Sequence, residues 1–333
     1  MENQMQLWIR PEDWLGVVRR EYLQDFVRRG GAAVKVVVPM DDNDREDAIA
    51  ALRSLAESEN YIFAAVDSSI TKIHLFDKVF HAIAMQIPWK DMARCFVRSC
   101  LEKELKLPNK GIDLRLSELA KLNDRDEARL GQDINKILER NLIRDFHMCQ
   151  EYRFAMVALC LEVIGQEYLP EGVIEEWLKG ELRLISALKR ALIFQKVARH
   201  NARHMLLSLT HWLRLAGKNG LVIALDISRY MVPKRPKETD GCLYYSRPAT
   251  LDAYEVLRQL IDGTDDMEGC FVTVLPTLEF LNDEQRGMKA YQALRIRVDD
   301  ESHDRCYPNP LSSLIRLSNK AKSLNIHTEG KNP

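Results

Sequence analysis

The sequence predicts an α/β fold: a mainly parallel sheet of five strands, interrupted by one long helical stretch. Three observations carry this. A β-branched run at Val34–Val38 is followed by a helical pattern and a second apolar run at Tyr61–Val66, the spacing of a βαβ unit with its right-handed crossover. From Leu75 to about Gly217 nearly every segment has helical periodicity. Beyond that stretch the strand signal returns, in Leu221–Leu225 and Phe271–Leu275.

Each element follows from its residues. Trp14, Val17, Val18, Tyr22, Leu23 and Phe26 recur at helical spacing until Gly30-Gly31 stops the pattern. After the first strand come an acidic loop, Pro39 to Asp47, and a helix through Ala48, Ile49, Leu52, Leu55 and Ala56. The helical stretch divides into Leu75–Met85, Asp91–Leu105, Leu116–Arg140, Phe146–Ile164, Val173–Leu178, Glu181–Lys189 and Ala191–Ala216. Its breaks are at Pro88, Pro108-Asn109, Gly165, Pro170 and Gly180. A helix at Ala249–Asp262 joins the third and fourth strands, and the fifth strand is expected at Ala293–Val298, with Ser313–Leu317 packed against it. The organisation expected is therefore a first half-domain over 1–74, a helical insertion over 75–217, a second half-domain over 218–318 and a flexible tail over 319–333.

The chain has 333 residues, 46% hydrophobic and 29% charged, a composition that excludes general disorder. Its 15 glycines and 12 prolines exclude collagen-like and low-complexity classes. With 48 Lys and Arg against 49 Asp and Glu, net charge favours neither a nucleic-acid nor a membrane partner. No run approaches the ~20 apolar residues of a membrane span, and the N-terminus lacks an apolar signal region. Cys95, Cys100, Cys149, Cys160, Cys242, Cys270 and Cys306 are odd in number and never spaced C-x-x-C. Reduced thiols in a cytoplasmic protein are the expectation.

In nucleotide-binding α/β sheets the first strand leads into a glycine-rich loop, with a Lys for the phosphates and a Ser/Thr for magnesium. Laid on G-x-x-x-x-G-K-[ST], Pro39 falls at the first glycine, Asp44 at the second, Arg45 at the lysine and Glu46 at the hydroxyl. Only Arg45 keeps any of that chemistry. Asp41, Asp42, Asp44, Glu46 and Asp47 put five carboxylates where a triphosphate would sit, and like charges ~4 Å apart repel by about 1 kcal/mol even in water. Three readings are open for this loop: a solvated turn capping the next helix, a metal-bridged nucleotide site, or an acidic docking loop. The apolar strand ending at Asp226 would supply a magnesium-binding aspartate followed by a catalytic glutamate, but Ile227 stands in the second place, and neither Ser228 nor Asp252 is in register to replace it.

Several fragments resemble the P-loop ATP-binding proteins of BREX-type bacterial phage-defence systems. They are Glu21–Phe26 with Gly30–Lys35, Trp177–Glu181, Arg199–Leu209 with Gly217–Asp226, and Tyr291–Arg297 with Asn309-Pro310. The order is constant from about residue 10 to about residue 318. The resemblance implies a P-loop NTPase-like (ASCE/AAA-type) sheet with a helical insertion, in the setting of a defence operon linked to DNA modification. This chain departs from the family at both nucleotide motifs, so Asp226 matches the magnesium-binding aspartate in position only.

Between Leu182 and Leu225 there is no Asp or Glu. Lys189, Arg190, Lys196, Arg199, Arg203 and Arg214 in this block are candidates for DNA phosphates. The alternative is a face that pairs with acidic helices of the chain or with a protein. Arg199 and Arg203 are read as one turn apart on a helix. His200 and His204, at i and i+4, lack a third ligand for zinc, and Ser68, Ser69 and Ser228 lack a nucleophile-elbow context. No catalytic residue and no metal site are expected. The function expected is a pseudo-ATPase binding or scaffold component of an anti-phage system, with other defence proteins or DNA as partners and no membrane or cofactor. One alternative is an active ATPase, with ATP and magnesium, that uses Arg45 and Asp226. Another is a DNA-binding subunit acting through the basic block.

Overall fold

The computed structural model describes residues 8–102, 105, 107, 114–166, 168–232, 241–298 and 308–321. The break expected at Pro108-Asn109, Cys306 and most of the 319–333 tail lie outside those residues. In chain order the elements begin with helix α1 (Pro11–Val17, continuing in π-helical turns over Val18–Phe26), β1 (Ala32–Pro39), α2 (Asp42–Ser58) and β2 (Ile62–Asp67). Among the described residues seven α-helices follow: α3 (Phe76–Ala84), α4 (Trp89–Leu101), α5 (Leu116–Leu122), α6 (Glu127–Leu138), α7 (Gln150–Val163), α8 (Val173–Lys179) and α9 (Ala202–Leu215). The chain then returns through β3 (Leu221–Asp226), α10 (Arg247–Asp262), β4 (Cys270–Leu275), α11 (Gln292–Val298) and β5 (Leu314–Leu317).

These elements form two compact units. One comprises Met1–His74, Val222–Asp265 and Cys270–Pro333, the other Leu75–Leu221 and Asp266–Gly269.

The first unit holds the sheet, in the order β2-β3-β4-β1-β5. β1 runs parallel to both neighbours, with Ala32 opposite Cys270 and Val36 opposite both Val274 and Leu314. Ile9 adds a parallel bridge to Leu317 beyond β5. Strands buried in such a sheet read as continuous apolar runs, as Val36–Val38 and Leu221–Leu225 do. A core cluster joins Trp14, Val18 and Leu23 of the first helix, Ala48, Leu52 and Ala56 of α2, and Val37, Phe63, Val222, Phe271 and Ile315 of the strands.

Four strands lie where the residues predict them; the fifth does not. Ala293–Val298 is α11, and the edge strand is Leu314–Leu317. The run Leu294-Arg295-Ile296-Arg297-Val298 alternates like a strand, yet Leu294 and Val298 also stand at i and i+4. The structure buries those two and leaves Ile296 66% exposed, the pattern of a helix. Arg297 fastens α11 to α10 through Asp262, with Nη2 2.8 Å from Oδ2.

In the second unit the helices are shorter than their periodicity predicts. Leu116–Arg140 divides at Asp124, whose φ is 50°, and Asp126 caps α6 by accepting from the Arg129 N–H. Phe146–Ile164 starts as a helix only at Gln150. Glu181–Lys189 gives way to a 3-10 turn at Ile185–Ala191, which Leu192 ends in a left-handed conformation, and α9 starts only at Ala202. Trp177 of α8 is buried and donates its indole N–H to Gln195 O (3.0 Å). Gly180 ends α8 at φ 77°, where a Cβ would stand 2.8 Å from the His81 ring, so both its conformation and its contact require glycine. Among the described residues no helix is long and apolar enough to cross a membrane.

Lys35 is buried in the middle of β1. Its ammonium donates to the Leu311 (2.6 Å) and Ser312 (3.1 Å) carbonyls and lies 5.1 Å from the centre of the Tyr22 ring. Desolvation lowers its pKa from 10.5 to about 8. The folded chain therefore releases this proton before the unfolded chain does, and stability should rise with pH across that window. Denaturant unfolding from about pH 7 to about pH 10 should show wild type gaining up to about 3 kcal/mol relative to Lys35→Met. Parallel pH profiles for the two proteins would contradict this account.

Candidate functional site

In open α/β sheets the ligand crevice lies at the carboxyl ends of the strands. Here that position holds a cleft of about 400 Å³, lined by Arg45, Glu46 and Ile49 of α2, Ala65, Val66, Asp67 and Ser69 around the end of β2, and Ala224, Asp226, Ser228 and Arg229 around the end of β3.

Only Met40 and Asp41 separate β1 from α2. Pro39 is still strand, paired with Leu317, so it takes no part in a loop. Asp42, Asn43 and Asp44, which a phosphate loop would need as irregular backbone, are already helix. Asp41 caps that helix, its carboxylate accepting from the Asp44 N–H at 2.9 Å. The helix N-terminus, where a phosphate would be held, thus carries an anion of the chain itself. Asp44 is buried and accepts from the Asn319 N–H (3.2 Å), while Asp47 accepts from the Asn319 amide (3.2 Å). Asp41, Asp42, Glu46 and Asp47 are exposed.

Arg45 points into the cleft and is occupied there. Its Nε is 3.1 Å from Asp226 Oδ2 and its Nη1 is 2.8 Å from Asp42 Oδ1. The other oxygen of Asp226 accepts from the Ser228 N–H (2.8 Å). Burial pushes the Asp226 carboxyl above the ordinary carboxylate range, against the opposing effects of the Ser228 hydrogen bonds and the Arg45 charge. Ile227 is buried, with no polar group to offer the cleft. Asp67, at the end of β2, is closed on its own turn by the Ser69 N–H and hydroxyl, both at 2.6 Å.

In the sequence Arg45 and Asp226 are members of two separate motifs; the structure joins them directly. The residues that brace the cleft carry no such motif. The Ser68 N–H donates to Asp226 O (2.9 Å), and Tyr245 donates to the carbonyls of Ser68 (2.7 Å) and Thr71 (2.5 Å). Arg286 is buried and donates to the Tyr230 and Tyr245 carbonyls, both at 2.9 Å. It sits in the polar run Asn282–Gly287, where no local pattern distinguishes a buried arginine from a surface one.

The six basic candidates all belong to the second unit but not to one helix. Lys189 and Arg190 are exposed on the 3-10 turn. The Lys196 ammonium donates to the Leu182 (2.7 Å) and Arg183 (3.0 Å) carbonyls. Arg199 lies in the turn before α9, not on the helical face expected with Arg203. Arg203 pairs with Asp266 at 3.3 Å, and Arg214 is in the last turn of α9. His200 and His204 are exposed, and His200 contacts Gln195 at 3.3 Å.

The strand order and the cleft between α2 and the ends of β2 and β3 define a P-loop NTPase-like α/β protein. A family model described as BREX system ATP-binding protein BrxC/D matches residues 48–324. The chain belongs to this family, whose role is in a phage-defence system. The match begins just past Asp47, leaving the acidic turn outside it. Comparisons with curated proteins and with solved structures find no match.

Removing Arg45 should leave Asp226 largely buried without a counter-charge. Arg45→Met should lower stability by roughly 1–3 kcal/mol, and adding Asp226→Asn should recover part of the loss. Urea unfolding of the double-mutant cycle measures the coupling; strictly additive losses would mean that the pair does not interact.

Proposed function

We propose that this protein is a non-catalytic member of its family, a binding or scaffold component of the defence system that neither holds nor hydrolyses ATP. The Arg45–Asp226 ion pair is the observation that carries the reading. The two side chains that would serve phosphate and magnesium engage each other, and Asp41 takes the helix N-terminus. A nucleotide would have to break that pair, displace the cap and face the carboxylates of Glu46 and Asp67. ATP with magnesium would be the cofactor only if Arg45 left Asp226.

Titration calorimetry with ATP and magnesium is the test. The expectation is no measurable heat of binding up to about 1 mM nucleotide, a binding free energy weaker than about −4 kcal/mol, and no phosphate release above background. Micromolar binding that Arg45→Ala abolishes would overturn this reading, and phosphate release beside it would establish the active-ATPase alternative.

For partners, the reading favours proteins of the same defence system over DNA, because Lys196 and Arg203 already have partners within the chain. Duplex binding followed by anisotropy should be undetectable at about 0.15 M salt, and any binding at low salt should be indifferent to sequence. Tight binding that charge reversal at Lys189 and Arg190 removes would favour the DNA-binding alternative.

A further inference from the structure

We propose that Asp145, His147 and His211 form a binding site for a divalent transition metal of the zinc class, with Glu268 as its supporting carboxylate. The four residues come from three separate segments of the second unit. Asp145 and His147 lie in the loop before α7, His211 is on α9, and Glu268 is in the turn 266–269.

One ligand atom from each of Asp145, His147 and His211 lies within 4.8 Å of the other two. Asp145 is at the centre: its Oδ2 is 2.8 Å from His211 Nε2 and its Oδ1 is 3.1 Å from His147 Nδ1. The two imidazoles stack, with centres 4.9 Å apart and planes at 25°. Zinc bonds of ~2.0–2.2 Å place neighbouring ligand atoms about 3–4 Å apart; His147 Nδ1 stands at that spacing from Asp145 Oδ1, and His211 Nε2, now at hydrogen-bond distance from Oδ2, would move out by roughly half an ångström to admit the ion. What remains is a rotation of His147, whose side chain is 71% exposed.

Both ring nitrogens of His211 face carboxylates, an arrangement satisfied either by an imidazolium, which donates from both, or by a neutral imidazole with a metal at Nε2. Nδ1 is 2.9 Å from Glu268 Oε2, while Nε2 is 2.8 Å from Asp145. A neutral imidazole has a single N–H and can donate to one carboxylate only; its other nitrogen then turns a lone pair toward an anion. A metal at Nε2 removes that conflict. Glu268 then holds Nδ1–H and fixes the tautomer, as carboxylates behind metal-bound histidines do. Two imidazoles and one carboxylate are a donor set for zinc and its borderline neighbours rather than for magnesium or calcium.

The site is also built in advance. The Cys149 N–H donates to Ser208 Oγ (2.9 Å), which ties the loop to α9 one turn before His211. Met148 is buried, and the Arg153 guanidinium donates to Ile143 O and lies 4.8 Å from the centre of the Phe146 ring. The loop is thus anchored on both sides of the ligands. His147, at the exposed end, leaves room for water to complete the coordination.

The proposal is independent of nucleotide binding and is tested on the full chain after treatment with chelator. Calorimetry with zinc chloride should give one site per chain with micromolar or tighter affinity, and cobalt chloride should produce visible d–d absorption. His147→Ala, at an exposed position where folding is not at stake, should weaken zinc at least ~10-fold, and His211→Ala should abolish the site. Glu268→Gln should weaken it about 10–100-fold. Absence of a stoichiometric zinc site in the wild type, or wild-type affinity in His147→Ala and Asp145→Asn together, would overturn the assignment.

Discussion

The two-residue connection between β1 and α2 determines what the cleft can be. A phosphate loop needs several residues of irregular backbone whose N–H groups converge on one point. Here Pro39 ends the strand and Asp42 begins the helix, so those residues do not exist as a loop. Everything nearby follows. Asp41 falls at the cap, Asp44 is drawn under the segment after β5, and Arg45 is carried to within reach of Asp226. The P-loop-like sheet keeps its crevice, while the groups that would make the crevice a nucleotide site are committed to one another.

The fragment Trp177–Glu181, which resembles the family, has a packing role. Trp177 fills the interior of the helical unit and hydrogen-bonds Gln195, and Gly180 supplies the left-handed turn and close approach that His81 requires. Burial lowers the His81 pKa, consistent with its imidazole accepting a place among apolar neighbours and the Leu178 carbonyl. These residues serve the packing of the helical unit.

How much was legible in the sequence depended on whether local pattern or tertiary context decided the outcome. Four strands are long β-branched or apolar runs bounded by turn residues, and these stand out without help. Ala293–Val298 satisfied two periodicities at once, and only the burial of Leu294 and Val298 against an exposed Ile296 separates them. The real edge strand has just four residues. Arg45 and Asp226 were identifiable as motif positions, but their ion pair depends on how far α2 is advanced, which spacing does not encode. Reading Phe146–Ile164 as one helix hid the loop that carries His147 beside Asp145. The close pair Asp145-Phe146-His147 is the available signal, less conspicuous than the helical spacing of His200 and His204.

The position of β1 has a consequence for how the chain reaches its fold. Its hydrogen-bonding neighbours are β4 and β5, which come from the last part of the sequence, while β2 closes the far edge of the sheet. As the chain is synthesised, Val36-Val37-Val38 emerges early and stays without a partner until the whole helical stretch and two further strands have followed. Contacts of such sequence separation form slowly, and an unpaired β-branched run is a hazard for association between nascent chains. Lys35 immediately precedes that run. Before β1 is enclosed its ammonium is fully hydrated and charged, a gatekeeper against strand-to-strand aggregation. The residue that is costly to bury in the finished sheet thus protects the chain on the way there.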